Sequence, residues 1–283
     1  MKYLITGASG QLAKKFIEKL SSQDIYFYEH SKLDISDEKA LKECIDSIKP
    51  SIIINCAAYN NVDKAEGDYE KAYNINAIAV GNIAKFSHKH KALLIHFSTD
   101  YVFDGLKNEP YTEVDIPNPI NKYALSKLEG ERLLSENTDN YLIFRVSWVY
   151  GNGMQNFIYK FLSWTKSRNE ISVSVDEVSV PTYTGFIVEN VLKSIKNELR
   201  GLWHLVPNGY TSRYQWAEII SKILNINIKL NKAYQSDFKL PAKRPNFSAL
   251  NSKRLSNELS INFDNWEKYL YDFLKNYNIM EIL

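Results

Sequence analysis

The chain has 283 residues, 45% hydrophobic and 24% charged, which is long enough to bury a large core and too apolar to stay disordered. Its 35 Lys and Arg against 33 Asp and Glu leave a net charge of +2, too balanced for a nucleic-acid binder. Cys44 and Cys56 stand in apolar surroundings, with no Cys-x-x-Cys and no His-rich cluster; they predict buried thiols in a reducing, cytoplasmic compartment and no metal site. The apolar run Tyr3-Leu4-Ile5 is too short for a signal peptide. No apolar run approaches the ~18 residues of a membrane span, and no internal repeat is visible.

Tyr3-Leu4-Ile5-Thr6 reads as a short buried strand that runs into the turn Gly7-Ala8-Ser9-Gly10. Leu12, Phe16, Ile17 and Leu20 then repeat at helical spacing. Strand, glycine turn and helix are the context a dinucleotide-binding fingerprint requires, where an ordinary tight turn needs no such helix. Gly7 permits the turn and Gly10 lets backbone approach a pyrophosphate. The helix opening at Gln11 and Leu12 points its N–H groups at the phosphates. Ile25-Tyr26-Phe27-Tyr28 is a second strand, ending at Glu29-His30-Ser31-Lys32, where the adenosine ribose belongs. Glu29 can accept hydrogen bonds from a 2′-hydroxyl, favouring NAD, whereas Ser31 and Lys32 can hold a 2′-phosphate, favouring NADP. The sequence leaves both open. Asp34, beside Ile35, either meets the adenine amino group or caps the helix that begins near Asp37.

Pro50 ends that helix, and the apolar run from Ser51 to Tyr59 predicts a central parallel strand. Ala57, Ala58 and Tyr59 lie at its C-terminal end, where the small alanines leave room for a cofactor. A helix is expected over roughly 68–89, with Asn76 either bonded across to a strand end or exposed. Leu93 to Asp100 forms the next strand, with its polar residues at the edge where open parallel sheets bind ligands. His96 reads as a satisfied strand histidine. Tyr141 to Val146 is a further strand, and the alternation predicts an α/β, doubly wound parallel (Rossmann-type) sheet. Residues 1–150 form the dinucleotide-binding domain, rejoined by about 182–205. Residues 151–283, with strands expected at 171–175 and 201–206, form mainly a smaller C-terminal substrate-binding lobe.

Tyr123 and Lys127 stand four residues apart and share one face if their stretch is helical. An ammonium beside a phenol favours the phenolate, so the pair predicts a Tyr123 pKa drawn down from about 10 toward working pH. Such a spacing also arises on ordinary solvated helix faces, and the surrounding motifs decide between the two.

Those motifs are Gly7-x-x-Gly10-Gln11-Leu12, Ala57-Ala58-Tyr59-x-x-Val62-Asp63-Lys64-Ala65-Glu66, Ser98-Thr99-Asp100-Tyr101-Val102-Phe103-Asp104-Gly105 and Tyr123-x-x-Ser126-Lys127-x-x-Gly130-Glu131. Arg145-x-x-Trp148-Val149-Tyr150, Pro181-Thr182 and Arg244-Pro245-x-x-Ser248 extend them. Together they resemble the extended short-chain dehydrogenase/reductase superfamily and, within it, the dTDP-4-dehydrorhamnose reductase family, over nearly the whole chain. The resemblance implies NADPH- or NADH-dependent reduction of the 4-keto group of a dTDP-sugar, dTDP-6-deoxy-L-lyxo-4-hexulose, to dTDP-L-rhamnose. It makes Thr99, Tyr123 and Lys127 catalytic, with Lys127 also on the nicotinamide ribose. Asp100 and Trp148 fall at substrate-contact positions, and Arg244 at the substrate diphosphate. A homodimer stays open.

The chain departs from the family pattern at Ala13, in place of the third glycine, and at Ala124 after the tyrosine. Asp176-Glu177-Val178-Ser179-Val180 replaces a more usual Asp-Gln-x-Gly-x before Pro181, which makes sugar identity less secure than reaction type. A 4-keto reductase acting on another deoxysugar nucleotide stays open, and a 4,6-dehydratase or 4-epimerase of the superfamily and a regulatory subunit also compete. A sugar-nucleotide dehydratase carries a second carboxylate after Thr-Asp, but Tyr101 stands there. A non-catalytic regulatory subunit, like that of methionine adenosyltransferase, does not need the intact Thr99, Tyr123 and Lys127.

Overall fold

The computed structural model describes residues 1–276. Six parallel strands form the central sheet: β1 (Lys2–Thr6), β2 (Asp24–Tyr28), β3 (Ile52–Asn55), β4 (Leu93–Thr99), β5 (Tyr141–Val146) and an edge strand Gly201–His204. Their spatial order is Gly201–His204, β5, β4, β3, β1, β2. The chain moves outward from β1 to β2, then returns to build the other side from β3. The direction of winding therefore reverses between β1 and β3, the place where a doubly wound sheet opens a crevice at its carboxyl edge.

β3 and β4 are buried throughout because helices cover both faces of the sheet. On one face Phe16 of the helix Gln11–Lys19 and Leu20 at its C-terminal cap pack with Ile54, Phe97 and Phe144. The later helix Thr184–Lys196 adds Phe186, Ile187 and Val191 to that same core. On the other face Leu4, Ile53 and Leu94 meet Leu41, Ile45 and Ile83. A separate cluster around Tyr150, Phe161, Trp216 and Trp266 forms the core of the C-terminal lobe.

β3 stops at Asn55 instead of reaching Tyr59. Asn55 turns its amide onto Thr6 and His96, and Ala57 donates to its side-chain oxygen at 3.2 Å, so the backbone leaves the ladder. The helix expected over 68–89 is three pieces: Tyr69–Tyr73, a π-helical turn Asn74–Ile78, and Ala79–Lys89. The wide turn brings the Asn76 carbonyl against Gly130, where an added Cβ would lie only 2.0 Å from it. Only glycine lets these two backbones approach so closely. Asp37, not Asp34, caps the helix Glu38–Ile48 by accepting from the Ala40 N–H; Asp34 instead accepts from the Ser36 N–H and hydroxyl. In the lobe, Glu170–Ser174 pairs in parallel with Lys229–Ala233, a strand whose polar sequence gave no signal. Cys44 and Cys56 are free and only partly buried.

Candidate active site

Gly7 follows β1 with φ +68°, and a Cβ there would fall 2.7 Å from the Ala57 nitrogen. Positive φ and contact with the β3 loop both require glycine. Gly10 stands at the start of the helix Gln11–Lys19, which no side chain caps. Its first N–H groups therefore face the crevice without intrahelical partners, the arrangement that binds phosphate. Gln11 reaches across the crevice mouth, donating to the Val149 carbonyl at 3.0 Å and accepting from Asn156 at 3.0 Å. A cavity of about 310 Å³ opens here, lined by Gly10, Gln11, Leu12, Ala57, Ala58, Thr99, Asp100, Tyr123, Lys127 and Trp148. Backbone cradle, uncapped helix and small alanines fit a dinucleotide.

Other cofactor positions lie elsewhere. Glu29, Ser31 and Lys32 are exposed beyond β2. Ile35 is packed in the core with Leu33 and Leu41. Tyr59 is held through its backbone: Asn76 accepts from its N–H at 2.8 Å and donates to its carbonyl at 3.0 Å. Asn76 also donates to the Ser126 hydroxyl at 3.0 Å, tying the cofactor loop to the helix that carries Tyr123. Asn76 is thus buried and bonded to the loop after β3 and to the Tyr123 helix, neither exposed nor joined to a strand end; it lies in a π-helical turn, a feature that often marks functional sites.

That helix, Lys122–Asn137, begins at Asn121, whose side chain accepts from the Ala124 N–H and donates to the Lys243 carbonyl. Glu66 supports the same end by accepting from the Lys122 N–H at 2.9 Å. Tyr123 and Lys127 share a face toward the cavity, as their spacing requires. Their electrostatics differ from the expectation. The Lys127 Nζ turns away to the Phe97 carbonyl at 2.6 Å and His96 Nε2 at 3.2 Å. Burial, opposed by the Thr99 hydroxyl and reinforced by Asp100, pushes the Tyr123 phenol up to about 12. Burial, opposed by Glu131, lowers Lys127 to about 8. In this state Tyr123 is firmly protonated, poised as an acid rather than a phenolate.

Asp100, just after β4, sits in a socket of hydroxyls: Ser248 donates at 2.5 Å, Ser179 at 2.8 Å and Thr99 at 3.2 Å. Burial nevertheless raises its carboxyl to about 6, with those hydroxyls and Arg213 acting the other way. Ser179, where the resemblance implies glycine, is spent on this socket. Trp148 sits at φ +39°, a strained backbone for a bulky residue. It stacks on Trp216 with centroids 5.5 Å apart and carries the Arg213 guanidinium 3.6 Å from its ring centre. Glu177 accepts from both Arg213 at 3.1 Å and the Tyr101 hydroxyl at 3.2 Å.

Beyond Trp148 a second cavity of about 760 Å³ opens in the lobe, where Phe157, Trp164, Arg168, Arg213, Phe238 and Arg244 converge. Asp63 fixes Arg244 by a 2.7 Å ion pair, while Arg244 donates to the Ala242 carbonyl at 2.9 Å. Reading the sequence alone missed Arg213, Trp164 and Phe157. They lie in stretches with no local motif, and only long-range folding gathers them. Among the described residues no group of three His, Cys, Asp or Glu side chains is placed to hold a metal, and no helix is long and apolar enough to cross a membrane.

A sheet wound about a glycine cradle, with Thr, Tyr and Lys at its carboxyl edge and an aromatic, cationic lobe beside it, defines a Rossmann-type nucleotide-sugar reductase class. The chain belongs to the family described as RmlD substrate binding domain, whose model matches residues 1–279. It is 34% identical to a dTDP-4-dehydrorhamnose reductase of Aggregatibacter actinomycetemcomitans, with 95% of this chain and 97% of that protein covered. Two crystal structures share the fold at TM-score 0.94: a dTDP-4-dehydrorhamnose reductase from Clostridium acetobutylicum, 35% identical, and one from Bacillus anthracis in complex with NADP, 36% identical. The first covers 97% of this chain and the second 98%, each with 99% of its own chain matched.

Proposed function

We propose that the protein reduces the 4-keto group of dTDP-6-deoxy-L-lyxo-4-hexulose to give dTDP-L-rhamnose, using NADPH or NADH. The observation that carries this reading is the juxtaposition of Thr99, Tyr123 and Lys127 in one cavity with the glycine cradle. Reduced nicotinamide, when bound, supplies the hydride. Gly7, Gly10, Gln11 and Leu12 hold the pyrophosphate against the uncapped helix, and Lys127 turns to the ribose hydroxyls. Tyr123, protonated in the buried site, gives its proton to the C4 oxygen as general acid. Thr99 donates to the same oxygen and stabilises the charge that develops there. Asp100 and Trp148 contact the sugar. The lobe takes the nucleotide: Phe157, Trp164 and Phe238 offer apolar faces, and Arg244, oriented by Asp63, meets the diphosphate in a fork.

Two unpaired thiols support action in the cytoplasm. A homodimer remains part of the reading, and light scattering on the purified chain tests it. Nicotinamide oxidation followed by absorbance, with enzymatically generated dTDP-6-deoxy-L-lyxo-4-hexulose, tests the reaction. Rapid oxidation with dTDP-L-rhamnose as product is the expected result. Cofactor binding without oxidation would move the reading to another deoxysugar nucleotide.

A further inference from the structure

His96 is a buried ring that both its neighbours approach with nitrogen. Asn55 Nδ2 lies 3.1 Å from its Nδ1, and Lys127 Nζ lies 3.2 Å from its Nε2. The Asn55 amide cannot be reversed, because the Ala57 N–H, which can only donate, meets its Oδ1 at 3.2 Å, and the Thr6 hydroxyl donates to the same oxygen at 2.6 Å. Asn55 Nδ2 is therefore a donor, and His96 Nδ1 must accept. A neutral imidazole with Nδ1 accepting carries its proton on Nε2. That proton points at Lys127. An ammonium has no lone pair, so it would set donor against donor in a site where Lys127 is only 2% exposed. A neutral amine accepts from His96 and still donates to the Phe97 carbonyl at 2.6 Å, satisfying every group in the chain.

We propose that His96 is a positioning residue for Lys127: its Nε2–H, fixed by Asn55, bonds the lysine only as the neutral amine, and Lys127 carries its proton only out of that bond. The catalytic significance rests on the role proposed for Lys127 above. The surrounding charges agree. On its own helix Lys127 faces Tyr123 and Glu131, but the Glu131 carboxylate is already taken by Arg145 of β5 in two bonds, at 2.9 and 2.6 Å. From β4 comes His96, and Asp100 just after β4 and Cys56 after β3 line the cavity. Asp100 is turned into its own hydroxyl socket. Among the described residues no carboxylate forms an ion pair with Lys127. Burial lowers Lys127 to about 8 and keeps His96 well below the usual imidazole range, so it is the lysine, not the histidine, that titrates near neutrality. The helical spacing of Tyr123 and Lys127 thus brings the two together, while the Lys127 Nζ is turned to His96 and the Phe97 carbonyl. A bonding partner for Nζ in the cavity would draw Lys127 off His96 and let it charge.

The test is nuclear magnetic resonance on the cofactor-free full chain, reading the His96 ring nitrogens and the Lys127 Nζ with pH. The expected result is an Nε2–H ring with bare Nδ1 at high pH, and a Lys127 midpoint at or below about 8. In His96→Gln the amide oxygen can accept from an ammonium, and the Lys127 midpoint should rise by about one unit or more. An Nδ1–H ring, or a Lys127 midpoint unmoved by the substitution, would overturn the inference. If the variant does not fold, the wild-type tautomer alone decides. A wild-type protein with the Nε2–H ring that fails to reduce the sugar nucleotide would sink the proposed function and leave this inference standing. An active enzyme with an Nδ1–H ring would do the reverse.

Discussion

At the sheet edge, Thr99, Asp100, Tyr123 and Lys127 are held by hydrogen bonds to backbone and to one another within a tight cavity. In the lobe, Trp148, Trp164, Arg213 and Arg244 are held by stacking and ion pairs around a cavity more than twice as large. The first arrangement sets protonation states and holds atoms in place. The second offers flat rings and guanidinium groups that can recognise a nucleotide without controlling a proton. On the proposed reading chemistry belongs to the sheet edge and affinity to the lobe, and substitutions on the two sides should separate kcat from KM.

The largest separation is expected at Tyr123. Tyr123→Phe removes the acid and keeps the ring and its edge contact with Tyr101. Turnover should fall by about 10²- to 10⁴-fold with cofactor binding preserved. Steady-state kinetics with a parallel cofactor titration checks this, and near-normal turnover would remove Tyr123 from the mechanism.

Asp100 tests the same edge through stability. Its carboxyl is raised from an ordinary 3.8 to about 6, so the folded state prefers the protonated acid. The stability tied to that preference is complete below about pH 4 and is lost as pH rises through about 6. A shift of this size corresponds to about 3 kcal/mol. Asp100→Asn carries no such titration. Relative to wild type it should gain about that much between about pH 4 and about pH 7.5 in urea unfolding. A constant difference across that window would mean the hydroxyl socket fully compensates the buried carboxylate.

Trp164 probes the lobe. Trp164→Ala removes one flat face from the large cavity and touches no group of the catalytic edge. KM for the sugar nucleotide should rise by about 2- to 10-fold, the range of one aromatic contact, with kcat nearly unchanged. A fall in kcat instead would show that the two sides are not separable.

The same contrast explains what could be read before folding. Tyr123 and Lys127 sit on one helix, Thr99 and Asp100 at one strand end, and Gly7 and Gly10 in one turn, so short-range spacing placed them. Phe157 and Trp164 lie on one helix, Phe157–Thr165, and Arg213 opens another, Arg213–Ile223; neither carries a motif, and only the tertiary fold gathers them around one cavity. The inverted electrostatics of the Tyr123–Lys127 pair was also out of reach. It depends on His96, Phe97 and Asn55 from neighbouring strands, and on burial that no spacing rule conveys. Strand β3 ended early for a similar reason, since the bonds that end it reach Thr6 and His96.

The smallest effect lies outside both cavities, beyond β2, where Glu29, Ser31 and Lys32 compete for the adenosine ribose. All three are exposed, and neither preference is built into a rigid pocket. A charge in water on a flexible stem contributes about 0–1 kcal/mol, so Lys32→Ala should raise KM for NADPH by no more than about 5-fold. KM for NADH, which has no 2′-phosphate, should stay the same. Glu29→Gln should change it the other way, easing NADPH by relieving repulsion of the 2′-phosphate and weakening NADH. Added salt should shrink the Lys32 effect, because exposed charges are screened over about 10 Å at 0.1 M ionic strength. A salt-independent loss of more than about 10-fold on Lys32→Ala would mean that this turn closes over the ribose and excludes water. The ribose end would then resemble the wired sheet edge more than an open surface.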